Sequence, residues 1–142
     1  MSKGNTFEND WLKLIFNAVP ITNLADDAAS SPLDHLHVSL HVGDPGEGGD
    51  QSTSEISYTP YARQGVARTT GGWTVTGNSV SSVASVDFPT FASGAGGTAT
   101  HFAIGTASAG SGKILYSGPL NVSIAVGAGV QPKLGTITVT ED

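Results

Sequence analysis

The sequence feature that most constrains the fold is a change of hydrophobic period just after residue 33. From His35 to Val42 the chain reads HLHVSLHV, in which apolar residues alternate strictly with polar ones. A period of two is that of a β-strand with one face turned to a core, because successive side chains point to opposite sides of a sheet. The following segment DPGEGGD ends the strand with Pro and Gly turn chemistry. We therefore predict a strand whose His and Ser side chains share a second, half-solvated face.

The chain beyond this strand consists of short apolar runs separated by segments rich in Gly, Ser and Pro. The predicted later strands are Tyr61–Arg68, Trp73–Val75, Val80–Phe88, Thr98–Thr106, Lys113–Ser117, Val122–Val126 and Leu134–Thr140. Short strands at such regular intervals are typical of an antiparallel β-sandwich or a jelly-roll-like domain. Since none of them alternates with a helix, a parallel α/β sheet is not expected. The predicted fold class is mainly β, with the β-sandwich domain at residues 31–142.

Residues 1–30 are predicted to form an N-terminal helical arm. Apolar residues recur there at helical spacing and form one amphipathic stripe, which consists of Phe7, Trp11, Leu14 and Ile15. Pro20 ends this helix because its ring removes a backbone donor, and a short second helical turn is predicted at Asn23–Ala29. The stripe has two interpretations. It packs over an edge of its own β-domain, or it docks as an arm on a neighbouring subunit.

Composition excludes several classes of function. The formal net charge of −6 and the six scattered Lys and Arg residues argue against binding to a phosphate backbone, which requires clustered basic residues. The chain has no cysteine, so disulfides and thiolate metal sites are excluded. Its N-terminal segment has no apolar run longer than LIF, so we expect neither a signal peptide nor a membrane span, and synthesis in a cytoplasm. Charged residues make up only 13%, which favours a surface partly covered by partners and a homo-oligomer.

The clustered histidines are the first candidate for metal chemistry. His35, His37 and His41 would share one face of the strand, where two imidazoles could reach one zinc ion. The same strand has no carboxylate to orient them. We therefore interpret this face as the solvated side of a sheet and predict no metal.

The loop after the strand is the second candidate. Asp44, Glu47 and Asp50 offer hard oxygen ligands of the kind that calcium takes. Their spacing of three residues and the absence of flanking helices do not match an EF-hand. We interpret the segment as an acidic loop without a bound ion.

The segment GTASAGSGK, from Gly105 to Lys113, resembles a phosphate-binding loop at first sight. That motif requires a Gly four residues before Gly-Lys-Ser/Thr, but here Ala107 takes the place of the first Gly and Ile114 that of the Ser/Thr. We predict a turn before the strand KILYSG. The chain also lacks a G-x-S-x-G elbow and any thiol nucleophile. We therefore expect no catalytic residues, no cofactor and no enzymatic activity.

Several motifs together resemble a family of small structural proteins of tailed bacteriophages. They are LHVSLHVGDPGEGGDQSTSEISYTPYARQGVAR at Leu36–Arg68, GGWTV at Gly71–Val75, VDFPT at Val86–Thr90, THFAIGTASAGSGKILYSGPL at Thr100–Leu120, and the ending GTITVTED. Their order and spacing cover essentially the whole chain. The resemblance implies a β-sandwich building block that is repeated many times in a virion, and it carries over no catalytic residue.

The function expected from these observations is that of a capsid decoration, or cement, protein on the outer face of an icosahedral head. Its partner would be the major capsid protein, with no nucleic acid or membrane involved. The candidate interface residues are Phe7, Trp11, Leu14 and Ile15 in the arm and Asp44, Glu47 and Asp50 in the loop, with Gly94–Gly97 as a further loop. The alternative is a tail fibre, baseplate or host-binding tail component.

Overall fold

The computed structural model describes residues 5–21 and 33–141. Its elements are α1 (Asn5–Asn17), β1 (His35–His41), β2 (Ser57–Thr59), β3 (Gln64–Ala67), β4 (Trp73–Thr76), β5 (Ser79–Ser82), β6 (Val86–Asp87), β7 (Ser93–Gly105), β8 (Ile114–Val126), β9 (Lys133–Leu134) and β10 (Thr138–Thr140). The strand pairs β1–β7, β2–β7, β4–β5, β5–β10, β6–β9 and β7–β8 are all antiparallel. The predicted fold class is confirmed: the chain is mainly β, with antiparallel sheets consistent with a β-sandwich and one N-terminal helix.

The strands differ from the predicted ones in several places: β2 was not predicted, and β7 begins at Ser93 rather than at Thr98. Val80–Phe88 divides into β5 and β6, and Leu134–Thr140 divides into β9 and β10. The two strands predicted on either side of the segment SGP are a single strand, β8, because Pro119 does not interrupt it. A proline is tolerated there since β8 pairs only with β7 among the described strands, which makes it an edge strand. The helical turn predicted at Asn23–Ala29 lies outside the described residues.

The described residues form two units. Unit 1 consists of the described residues within Met1–His35, Val66–Ser85 and Gly135–Asp142. Unit 2 consists of those within Leu36–Gly65 and Val86–Leu134. Unit 1 therefore contains α1 together with β4, β5 and β10. The predicted division into an arm at residues 1–30 and a domain at 31–142 stays a prediction. Within residues 5–21 and 33–141, no helix combines the length and the apolarity that crossing a membrane requires.

Unit 1 is a helix on a three-stranded sheet whose strand order is β10-β5-β4. The helix buries Leu12 and Phe16 completely, and the Phe16 ring meets Trp73 edge to face, with ring centroids 4.7 Å apart. Asn17 fixes the same end of the helix, because its side-chain amide donates to the Trp73 carbonyl at 3.1 Å. Aromatic pairs in this arrangement add to the free energy that burial of their surface already contributes. The helix is therefore part of the core of its own unit.

Arg68 closes the C-terminal end of α1. Its guanidinium donates to the carbonyls of Leu14 and Ile15 in the last helical turns, and to the carbonyl of Leu33. Those helical carbonyls are the ones that lack intrahelical partners, and the helix dipole favours a cation beside them. Partial burial lowers the pKa of Arg68 from its usual value. One side chain thus ties the helix to the segment that precedes β1.

Unit 2 is organised around β7, which pairs with β1, β2 and β8. The predicted inward residues of β1 are buried, as expected, and they are Leu36, Val38 and Leu40. The prediction of a half-solvated opposite face is wrong for Ser39 and His41, because both are fully buried. The physical reason is that the loop after β1 returns to this face: the Thr53 carbonyl lies 2.8 Å from His41 Nδ1, and Ser39 Oγ lies 2.9 Å from His41 Nε2. Val42 itself is exposed.

We expect Phe16→Ala to lower the free energy of unfolding by about 3–5 kcal/mol, because it leaves a cavity against Trp73. Urea denaturation followed by tryptophan fluorescence measures the change. The matched control is Val83→Ala, at an exposed site of the same unit, which should shift stability by no more than about 0.5 kcal/mol. Equal effects of the two substitutions would contradict the placement of α1.

Candidate functional site

The candidate site of unit 2 is a pair of loops, which we name the acidic loop (residues 43–56) and the glycine loop (residues 106–113). The acidic loop follows β1, and the glycine loop connects β7 to β8. The acidic loop runs back along β1, since His41 forms a bridge with Glu55, and reaches the glycine loop through a hydrogen bond from Gln51 N to Gly112 O at 2.9 Å. Two segments far apart in the sequence therefore lie side by side.

Gln51 is the first of two side chains that hold the loops together. It is fully buried, donates through Nε2 to the His37 carbonyl at 3.0 Å, and accepts through Oε1 from the Ala107 N–H at 3.0 Å. A Cβ atom at Gly105 or Gly112 would collide with the Gln51 side chain. The predicted turn is thus confirmed at residues 106–113. Gly105 and Gly112, which contribute to the resemblance to a phosphate-binding loop, leave the space that the Gln51 side chain fills.

Arg63 is the second side chain that holds the loops together. Its Nε and Nη2 bind the two carboxylate oxygens of Glu55, both at 2.7 Å, while Nη1 donates to Ala107 O at 3.0 Å and Nη2 to Gly110 O at 2.7 Å. The side chains of Arg63 and Glu55 are only 2% and 17% exposed. A bidentate pair of this kind is among the strongest charge-assisted interactions in proteins, and the Glu55 carboxylate raises the pKa of Arg63.

Tyr61 joins this ion pair to the sheet. Its hydroxyl donates to Glu55 Oε1 at 2.8 Å and accepts from the Leu40 N–H at 3.1 Å. Burial raises the pKa of this hydroxyl well above its usual value. The ring lies parallel to Phe88 and close to Tyr58, which is also buried. Both tyrosines therefore pack against other aromatic rings of unit 2.

His41 is the buried titratable group beside this cluster. Its Nδ1 lies 2.8 Å from the Thr53 carbonyl, which can only accept, so Nδ1 donates the hydrogen bond. Its Nε2 lies 2.9 Å from Ser39 Oγ. Burial is the main cause that lowers the pKa of His41 below its ordinary value, because the charged imidazolium loses hydration. His41 therefore connects β1 to the acidic loop in its neutral form.

Asp44 and Asp50 stabilise turns of the acidic loop by accepting hydrogen bonds from nearby residues. Asp44 Oδ1 accepts from Gly46 N at 2.9 Å, and Asp50 Oδ1 accepts from the backbone N–H and the hydroxyl of Ser52 at 2.8 and 2.6 Å. These bonds to Ser52 lower the pKa of Asp50. In the part of the chain that the structure describes, no three His, Asp, Glu or Cys side chains lie close enough to hold a metal ion.

A pocket of about 330 Å³ opens beside the acidic loop, at the start of β8. It is lined by Gly46, Glu47, Gly49, Lys113, Ile114, Leu115, Tyr116 and Ser117. Glu47 and Lys113 give the lining one acid and one base, and the lining as a whole is more polar than apolar. This composition suits the binding of a partner better than chemistry on a small molecule.

The predicted interface residues fall into separate units. Phe7, Trp11, Leu14 and Ile15 belong to α1 in unit 1, where Trp11 is exposed and both Leu14 and Ile15 are half-buried. The three acidic residues, Asp44, Glu47 and Asp50, lie in unit 2 on the acidic loop. The further candidate, Gly94–Gly97, is strand rather than loop, since it belongs to β7.

Sequence reasoning missed the buried polar residues Gln51 and Arg63 and their half-buried neighbours Glu55 and Tyr61. One signal could have indicated the ion pair. Glu55 and Arg63 are the only charged residues between positions 51 and 67. Because charged residues are rare in this chain, an acid and a base that lie on either side of a turn can be expected to form an ion pair.

Comparison with known proteins adds one match. A family model described as Podophage GP4 fiber I protein gp80 matches residues 3–140. Among curated proteins, none matches this chain. The resemblance inferred from the sequence motifs to small structural proteins of tailed phages is thereby confirmed.

We expect Arg63→Met to lower the free energy of unfolding by about 3–5 kcal/mol, because it leaves Glu55 partly buried without its cation. Hydrogen exchange should also accelerate at the backbone N–H of Ala107, which lies in the loop that Arg63 holds. The control is Lys133→Met, which removes an exposed pair with Asp87 and should cost about 1 kcal/mol or less. Unchanged exchange in the glycine loop would show that Arg63 does not hold it.

Stability should fall as the pH drops below about 6.5, where an unfolded histidine begins to bind protons while buried His41 stays neutral. The unfolded state then binds more protons than the folded one, so acid favours unfolding. Urea titrations at about pH 7.5 and about pH 5 measure the slope, and His41→Gln should flatten it. His35→Gln, at an exposed position, is the control. A slope that survives His41→Gln would refute the assignment.

Proposed function

We propose a fibre-type structural role for this chain, which belongs to the Podophage GP4 fiber I protein gp80 family. It is a structural component of a phage virion. The observation that carries the finer proposal is the match of a fibre-protein family over nearly the whole sequence, residues 3–140 of 142. In this role the chain is a repeated subunit that works by adhesion to neighbouring virion proteins, without a catalytic step.

The loop pair of unit 2 supports an adhesive role. Gln51 and Arg63 use their hydrogen-bonding groups on backbone carbonyls of β1 and the glycine loop, on the Ala107 N–H and on Glu55. They fix the shape of a surface rather than face a substrate. Binding loops held on a rigid scaffold are typical of recognition proteins, and loops that are ordered before binding lose less entropy when a partner arrives.

Capsid decoration, the function expected from the sequence, is the second candidate. The low content of charged residues favours it, since 13% is about half the usual share and indicates surfaces that neighbouring subunits cover. The partner would be the major capsid protein. An interface of roughly 1,600 Å² is enough for specific attachment, and contacts to several subunits would add avidity.

Location and copy number on purified virions test the two candidates. For a fibre subunit, antibody against this chain should label the tail region in electron micrographs. Quantitative mass spectrometry, with the major capsid protein as internal reference, should give a low copy number set by tail symmetry. Label over the whole head and on the order of hundreds of copies, as icosahedral symmetry produces, would contradict the fibre role and support decoration. The absence of the chain from virions would contradict both.

A further inference from the structure

The pocket of unit 2 follows the outer edge of β8. Its lining contains the consecutive residues 113–117, and Gly46, Glu47 and Gly49 of the acidic loop complete it. Successive side chains of a strand point to opposite faces of a sheet, so a cavity lined by consecutive residues lies along the strand edge. β8 pairs only with β7 among the described strands, which leaves the backbone N–H and C=O groups of its other edge without a strand partner. The pocket can therefore offer backbone groups as well as side chains to a ligand.

Two opposite charges line this pocket without pairing with each other. Glu47 and Lys113 are both exposed, and within residues 5–21 and 33–141 no ion pair joins them. The Glu47 carboxylate only accepts hydrogen bonds, the Lys113 ammonium only donates them, and the Ser117 hydroxyl does both. Tyr116 adds an aromatic ring from a half-buried position. A ligand in this pocket thus meets acceptors, donors and one ring at the same time.

This lining disfavours three classes of ligand and favours a fourth. An anion such as phosphate would gain from Lys113, but Glu47 and the net charge of −6 oppose it. A cation would gain from Glu47 and be repelled by Lys113, and an apolar ligand would leave a mainly polar lining without hydrogen bonds. A hydroxyl group both donates and accepts. Neighbouring hydroxyls of one neutral molecule can therefore satisfy Glu47 and Lys113 together, through hydrogen bonds that the charges strengthen.

We propose that this pocket binds a neutral saccharide. Its volume of about 330 Å³ lies at the lower end of the range of small-ligand sites, about 300–1,000 Å³, and suits a small ligand of roughly one or two sugar rings. Glu47 accepts from one hydroxyl, Lys113 donates to another, and the C–H face of the ring packs on Tyr116. This is a function beyond adhesion to virion proteins, and it does not depend on head or tail location.

Both walls of the pocket are ordered before a ligand arrives. The turn on the acidic loop closes with a hydrogen bond from Gly49 N to Gly46 O, and a Cβ atom at Gly49 would collide with the Pro45 carbonyl oxygen. The glycine loop, which ends at the pocket, is held by the hydrogen bond from Gln51 N to Gly112 O. A preformed site loses less entropy on binding, which matters for a ligand as small as one sugar ring.

Titration of the full chain followed by NMR of its backbone N–H groups tests the proposal. The neutral probes are glucose, galactose, mannose and N-acetylglucosamine, each as the free sugar and as a disaccharide. Inorganic phosphate and glycylglycine serve as an anionic and a zwitterionic probe. At least one neutral sugar should shift the signals of residues 46–49 and 113–117, with a Kd on the order of 1 mM for a ligand of this size, and the charged probes should shift them less.

Two variants and two matched controls locate the binding. Glu47→Ala and Lys113→Ala should each weaken the binding of that sugar roughly tenfold, because each removes a charge-assisted hydrogen bond. The controls are Asp87→Ala and Lys133→Ala, which make the same changes in net charge at an exposed ion pair away from the pocket. Both controls should leave the affinity unchanged. Circular dichroism confirms that all four variants fold.

Each competing outcome overturns the proposal. If none of the neutral sugars shifts the signals of the pocket residues, the pocket is not a saccharide site of this class. If phosphate or glycylglycine shifts them more than every sugar does, the ligand is a charged molecule. If Asp87→Ala or Lys133→Ala weakens binding as much as the pocket variants do, the sugar responds to the net charge of the protein and not to Glu47 and Lys113.

Discussion

The ion pair between Arg63 and Glu55 is the interaction on which the candidate site depends. Removing a guanidinium from water is unfavourable unless its donors find acceptors, and here they find a carboxylate together with the carbonyls of Ala107 and Gly110. The ion pair therefore stabilises this region through directional hydrogen bonds as well as through the attraction between opposite charges. It fixes two loops that have little regular structure of their own. A chain with so few charges uses two of them inside unit 2.

Unit 1 reaches its stability in a different way. There the main contact is apolar, between Phe16 on the helix and Trp73 at the start of β4, and the charged residue Arg68 satisfies the helix end. A hydrophobic contact of this kind is non-directional and scales with buried area, so it holds elements together without fixing the detail of a loop. In unit 2 the hydrogen bonds of Gln51 and Arg63 are directional. This difference explains why the fixed loop surface is found in unit 2.

The sequence predicts those features that depend on local periodicity. The strand at β1, the N-terminal helix and the turn at residues 106–113 all follow from patterns within a few residues. The polar cluster escapes local reasoning because Gln51 meets Ala107 across 56 positions, and no short pattern encodes such a pair. The buried helix face was missed for another reason. Leu12 and Phe16 lie beside the predicted stripe of Phe7, Trp11, Leu14 and Ile15. Because both sets of residues are apolar, their spacing does not show which set faces the sheet. The continuity of β8 through Pro119 could not be predicted, since it depends on β8 being an edge strand.

The buried cluster orders the loop beside the pocket of unit 2. Gln51 and Arg63 fix the loop that forms one wall of the pocket, so under the proposed role a partner would meet a surface that is already ordered. Preorganisation of this kind reduces the entropy lost on association and lets a small contact contribute to binding. Under the proposed role, a change that loosens these loops should therefore weaken attachment even where the residues on the loop surface are unchanged.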